Sequence, residues 1–155
     1  MNISLRNSLT ALLLAAASMG ALAESNKVVS SDGRLTVNVV DRDGRLYYDV
    51  LYDGKQMMLE SQLGVVANIG DFSQRLVYRS VSNRKIADDY TMRGTKTSAV
   101  SYRANQMSVV YVNEKKLPMT VTFNVSDNDI AFRYEFGNVN DRTHIIIDKE
   151  ATAFR

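Results

Sequence analysis

From Met119 to Ser126 apolar and polar residues alternate without a fault. Met119, Val121, Phe123 and Val125 fall on one side; Thr120, Thr122, Asn124 and Ser126 fall on the other. The rhythm resumes after Asp127-Asn128-Asp129, with Ile130, Phe132, Tyr134 and Phe136 set against Ala131, Arg133 and Glu135. A period of two marks a strand with one buried face. The polar stretch Ser126 to Asp129 suits a hairpin loop. Pairing Val125 with Ile130 sets Phe123 opposite Phe132, Val121 opposite Tyr134 and Met119 opposite Phe136. Every apolar residue then meets an apolar one. A slip by one residue would turn one apolar set to solvent, so this register is strongly specified.

The same reading extends through the chain. Val28-Val29 predicts a short first strand. Leu35, Val37 and Val39 alternate with polar neighbours, and so do Leu46, Tyr48, Val50 and Tyr52 after a turn at Asp41-Arg42-Asp43-Gly44. That turn puts Val39 opposite Leu46 and Val37 opposite Tyr48. Asp53-Gly54 predicts a two-residue type I′ hairpin, pairing Tyr52 with Lys55, Val50 with Met57 and Tyr48 with Leu59. Residues 34–60 therefore read as a three-stranded meander with one apolar face. Leu63 to Asn68 is a further strand, with Gly64 a point of bulge or close approach. Arg75 to Val81 follows, with Leu76 and Tyr78 inward. Residues 82–97 lack a clean period and read mostly as loop. Ala99 to Arg103 and Met107 to Asn113 read as two strands around Ala104-Asn105-Gln106. Thr143 to Ile147 reads as a buried strand ahead of Asp148-Lys149-Glu150. Turn signals every 8–12 residues and no amphipathic helix predict an all-β antiparallel sandwich or barrel.

Charge and composition narrow the class. The first 23 residues, with Arg6, the apolar run Leu9 to Ala17 and the small-x-small site Ala21-Leu22-Ala23, read as a secretory signal peptide, so the mature chain is expected to begin at Glu24. Taking 23 residues from 155 leaves 132, enough for one domain with a core. Nineteen Lys and Arg against 17 Asp and Glu is too even a balance for a nucleic-acid partner. The chain has no cysteine, which excludes a disulfide framework, a thiolate metal site and a cysteine-linked lipid anchor. The expected location is secreted, in the periplasm of a Gram-negative bacterium, with no membrane attachment after signal cleavage.

Candidate chemistry is sparse. His144 is the only histidine and has no Ser or Cys nucleophile at a recognisable spacing, so the plainer structural reading is preferred. Arg133 and Glu135 share a strand face with Thr120 and Thr122 opposite; this is either a polar ligand face for sugar hydroxyls or a solvated face with a weak ion pair, and the second reading is preferred. Asp88-Asp89, with Glu114 and Glu150 elsewhere, make an acid/base pair only if folding brings two carboxylates within about 5–10 Å. Asp127-Asn128-Asp129 lacks the glycine and terminal glutamate of an EF-hand loop. Asn124-Val125-Ser126 matches a glycosylation sequon but lies inside a predicted strand. Tyr47, Tyr90 and Tyr102 are the exposed aromatic candidates for stacking on sugar rings.

Several segments in order resemble one family. They are SSDGRLTVNV (Ser30 to Val39), LYYDVLYDGKQMM (Leu46 to Met58), SQLGV (Ser61 to Val65), DDYTMRGTKTSAVSYRANQMSVVY (Asp88 to Tyr111), DNDIAFRYEF (Asp127 to Phe136) and DKEATAFR (Asp148 to Arg155). The ordered set resembles the N-terminal domain of glycoside hydrolase family 97, the α-glucosidase/α-galactosidase family. The resemblance implies a galactose-mutarotase-like β-super-sandwich packed on a (β/α)₈ barrel. It implies catalytic carboxylates on that barrel and a calcium ion near the substrate, an α-glucoside or α-galactoside glycan. None of those positions maps onto this chain, so no catalytic, cofactor-binding or metal residue is assigned. The expectation is residues 24–155 as a partial N-terminal β-sandwich, incomplete at Arg155, lacking the barrel and inactive alone. The alternative is a stand-alone secreted carbohydrate-binding module. A mutarotase-like enzyme, whose chemistry needs histidine help, is disfavoured by the single histidine.

Overall fold

A computed structural model describes residues 26–94, 99–137 and 144–155. The predicted signal peptide and the start at Glu24 lie outside them. Among the described residues there are eleven strands and no helix. The first sheet is built from β1 (Asn26–Val29), β2 (Leu35–Arg42), β3 (Arg45–Tyr52) and β4 (Lys55–Leu63), in that order. Its two central turns are the same device. Asp43-Gly44 and Asp53-Gly54 both hold two successive residues at positive φ, at 53° and 74° and at 49° and 73°. This is the backbone that closes a hairpin with the native strand twist. The first of these turns is thus two residues long, not four, and the expected register shifts. Val39 faces Tyr48 and Val37 faces Val50, which still pairs buried with buried. Between β3 and β4, Tyr52 pairs with Lys55 as expected. Bulges then move Val50 opposite Met58 and Tyr48 opposite Ser61.

The second sheet runs β10-β9-β8-β7. β9 (Pro118–Val125) and β10 (Ile130–Phe136) pair in the predicted register, from Val125 with Ile130 to Met119 with Phe136. Their loop closes on Ser126, whose Oγ accepts the N–H groups of Asn128 and Asp129. β7 (Val77–Thr91) and β8 (Ala99–Val112) correct the reading of the middle of the chain. Residues 82–91, which read as loop, continue β7, whereas Met92 to Gly94 are not strand and 95–97 lie outside the described residues; Ala104-Asn105-Gln106 is mid-strand, not a turn. The reason is exposure. β9 accompanies β8 only from Asn105 to Val112, so beyond Ala104 the β7–β8 pair is a two-stranded ribbon. Most of β7 is exposed, so no apolar alternation marks it.

The two sheets pack face to face. Val37, Val39, Leu46 and Tyr48 of one meet Met107, Val109, Met119, Val121 and Phe123 of the other, all within one buried cluster. Tyr48 lies 5.8 Å from Phe123 and 5.9 Å from Phe132 between ring centres. A small third sheet orders β11 (Ile147–Glu150), β5 (Val65–Ala67) and β6 (Gly70–Asp71). Here the expected strand at 143–147 is corrected. Thr143 lies outside the described residues, His144 to Ile146 are not strand, and Ile146 and Ile147 are exposed. Gly64 separates β4 from β5 at φ +142°, where an added Cβ would lie 2.6 Å from Ser73 Cα, so it is a close-approach point. Past β11 the chain runs on as a strap beside β4. Ala151 and Ala153 donate to the Gly64 and Gln62 carbonyls, and Leu59 donates to that of Arg155.

Candidate functional site

Strand pairing decides which candidate residues share a surface. In β8 the odd residues Met107, Val109 and Tyr111 enter the core, so Tyr102, Ala104, Gln106 and Ser108 face outward. Their partners Asp88, Ile86, Arg84 and Ser82 on β7 face the same way. So do Asn124 and Thr122 on β9, and Arg133 and Glu135 on β10. The outer side of the second sheet therefore gathers most of the polar candidates on one face, interrupted by Ala104 and Ile86. It unites Arg133, Glu135, Thr120, Thr122, Tyr90 and Tyr102. Tyr47 is not on it; it lies on the outer side of the first sheet, between the buried Leu46 and Tyr48.

The face is a hydrogen-bonded ladder. Arg84 Nε donates to Gln106 Oε1 at 2.5 Å, and Gln106 Nε2 donates to Asn124 Oδ1 at 2.7 Å. One rung along, Ser108 and Thr122 share a hydrogen bond of 3.0 Å. Arg133 Nε meets Glu135 Oε1 at 2.6 Å. Gln106 and Thr122 are buried under their neighbours although they face outward. At the ribbon end, burial and the adjacent Asp129 carboxylate push the Tyr102 phenol up. Sequence reasoning missed Arg84 and Gln106, because 82–97 read as loop and 104–106 as a turn. The alternation of Gln106 and Ser108 with Met107 and Val109 was the available signal.

The acidic candidates do not converge. Asp88 and Asp89 are successive strand residues and point to opposite sides of β7. Asp89 is clasped by Arg103 at 2.9 and 3.1 Å, which holds its carboxyl below the usual range. Glu114 pairs with Arg75 at 3.0 Å in the turn after β8, and Glu150 is exposed on β11. His144 is exposed just before β11. Asp127 accepts the Asp32 N–H at 2.9 Å. Among the described residues no three His, Cys, Asp or Glu gather where they could hold a metal ion. A cleft of about 510 Å³ opens between β1 and β7–β8, lined by Val28, Asn83, Lys85 and Asn105 among others.

The family model Glycosyl-hydrolase 97 N-terminal matches residues 28–155. Among solved structures, a beta-arabinopyranosidase aligns with a TM-score of 0.79 at 37% identity, over 84% of this chain and 21% of that one. A glycoside hydrolase family 97 enzyme from Pseudoalteromonas sp. strain K8, solved with panose and with acarbose, aligns at 0.74 and 22% identity, over 83% of this chain and 20% of that one. No curated protein matches the chain. The chain thus spans about a fifth of the enzymes it resembles.

Proposed function

The chain belongs to glycoside hydrolase family 97 through its N-terminal domain, and on that premise we propose that it serves as the carbohydrate-contacting scaffold of a secreted family 97 α-glycosidase. In this reading glycan cleavage is done by a barrel supplied by a longer polypeptide, with its calcium, and the sandwich by itself is inactive. The observation that carries the proposal is coverage. The match takes in nearly the whole described chain, yet that chain accounts for only about a fifth of each aligned enzyme. Asp88 and Asp89 point to opposite sides of β7 while Glu114 and Glu150 lie on other segments, which supports placing the chemistry elsewhere.

Two measurements test this reading. Reading the gene beyond Arg155 is expected to reveal an in-frame barrel; a stop codon with no barrel-coding frame downstream overturns the proposal that this domain is part of a larger glycosidase. Nitrophenyl α-glucoside, α-galactoside and β-arabinopyranoside are expected to stay intact with the purified chain, and turnover would show that it carries chemistry of its own. A stand-alone carbohydrate-binding module is the second reading, favoured by Tyr90 and Tyr102 on one face with the polar ladder.

A further inference from the structure

We propose that the cleft between β1 and β7–β8 is a strand-addition site, where an extended acidic segment of a partner polypeptide pairs with the free edge of β1. β1 ends the first sheet and has β2 on one side only. Its hydrogen bonds fix which backbone groups are free. The Ser30 N–H donates to the Leu35 carbonyl, so Ser30 faces β2. Backbone groups of successive strand residues point to alternate sides, so Val28 also faces β2, while Lys27 and Val29 face away from it. The Val29 carbonyl agrees, accepting from Asn105 Nδ2 on β8 at 2.7 Å. That leaves the Lys27 N–H and C=O and the Val29 N–H without a partner among the described residues. They border a cleft of about 510 Å³, which Lys27, Val28 and Val29 line from one side and Asn83 and Lys85 from the other.

Topology supplies the room and side chains supply the charge. Asn105 reaches up from β8 to the β1 edge, so β1 lies over β8, and β7 is the next strand out in the second sheet. A strand added to β1 therefore continues the first sheet across β7. On that inner side of β7, Asn83 lies opposite Met107 and Lys85 opposite Asn105, so the floor is polar and cationic where a core residue would otherwise stand. Arg34, Arg42, Arg75, Arg103 and Arg133 each pair with a carboxylate. Lys27 and Lys85 pair with none among the described residues, and no Asp or Glu lines the cleft. Lysines at a strand edge deter apolar and basic strands; an acidic strand is the one they match. Directly paired residues share a side of the sheet. The residue opposite Lys27 thus points outward with the exposed lysine, and its two neighbours point inward, as Val28 does. Carboxylates at those inward positions would accept from Lys85 Nζ and Asn83 Nδ2.

Calorimetry and NMR shift mapping of the chain with the blocked peptide acetyl-Thr-Glu-Val-Glu-Thr-amide test the proposal. Saturable binding with a Kd below about 1 mM is expected, weakening as salt rises, with shifts at the Lys27, Val29 and Lys85 amides. Replacing both peptide glutamates by glutamine, or Lys85→Ala in the chain, is expected to weaken binding about tenfold. Methylating the nitrogen of the central peptide valine keeps every charge but removes a backbone donor, and is expected to weaken binding by about tenfold or more. Lys55→Ala, in the β3–β4 turn, stays within about twofold. Melting curves establish that each variant is folded. No binding at about 5 mM peptide overturns the site. So does a methylated peptide that binds as well as its parent, or citrate giving the same shifts, since either would be ion pairing without strand pairing. A dimer in sedimentation, with the Lys27 and Val29 amides protected from exchange, gives the edge to a second copy and overturns the peptide partner. Loss of peptide binding in a polypeptide that continues beyond Arg155 gives the edge to a segment of its own and likewise overturns it.

Discussion

Tyr134 shows how a single hydroxyl joins parts of the chain that are distant in sequence. It sits on β10, accepts the Gly64 N–H at 2.9 Å and shares a 2.6 Å hydrogen bond with the Thr152 hydroxyl. Burial raises its phenol from an ordinary 10.0 to about 12, with the two hydrogen bonds only partly opposing the shift. A raised value means the folded state holds the proton more tightly. The stabilising contribution is therefore complete below pH 10 and fades as pH rises towards 12. Tyr134→Phe is expected to cost about 1–3 kcal/mol at neutral pH, because the Gly64 N–H is left unpaired. Melting temperatures followed from pH 8 to pH 12 should then fall less steeply in the variant than in the parent; parallel curves would show that Tyr134 is not the titrating group. Gly64 is the partner that had to be glycine. Its φ of +142° and the 2.6 Å approach to Ser73 leave no room for a side chain, and this point was visible as an isolated glycine in a strand pattern.

At the scale of elements, the β9–β10 hairpin separates two kinds of aromatic. Phe123 is fully buried between the sheets, whereas its partner Phe132 on the outermost strand is only half-buried. Phe123→Ala is expected to cost about 3–5 kcal/mol, and Phe132→Ala clearly less, as read by urea denaturation midpoints at constant slope. Equal losses would mean that the β10 edge is covered in solution. This hairpin was fully legible because one side is dry and the other wet, so period and register are both written in residue types. The ribbon of β7 and β8 was not legible for the opposite reason. Even where β9 flanks β8, Ser82, Asn83, Arg84 and Lys85 form an exposed sheet edge and carry no contrast between successive positions. The β2–β3 turn was half legible. Asp43-Gly44 was in view, but the Asp41-Arg42 pair before it masked a two-residue turn as a longer one. The polar face suffered from the same gap, since Arg84 joins it only once β7 is seen as a strand.

At the scale of the whole molecule, the strap from Ile147 to Arg155 connects what the hairpins leave separate. It adds backbone bonds along β4 and β5, places the Ala153 carbonyl on the Tyr48 hydroxyl at 3.2 Å, and rests the Phe154 ring 6.3 Å from that of Phe132. Removing Ala151 to Arg155 is expected to lower stability by about 5–7 kcal/mol, at roughly 1 kcal/mol for each hydrogen bond lost. An unchanged denaturation midpoint would show that the strap is dispensable. Its residues were read as a family marker and its β11 segment was offset, because pairing with β5 rather than local periodicity decides where it becomes strand. The strap also sets a timetable for folding. The β2–β3, β3–β4 and β9–β10 hairpins close over a few residues and can form as soon as their turns exist. The strap must find Gly64 across a separation of 88 residues. Such non-local closure is slow and comes late, after the entropy of a long loop has been lost. Until it arrives, the outer edge of β4 is an open strand, and that interval is when a nascent chain is most prone to pair with its neighbours instead of with itself.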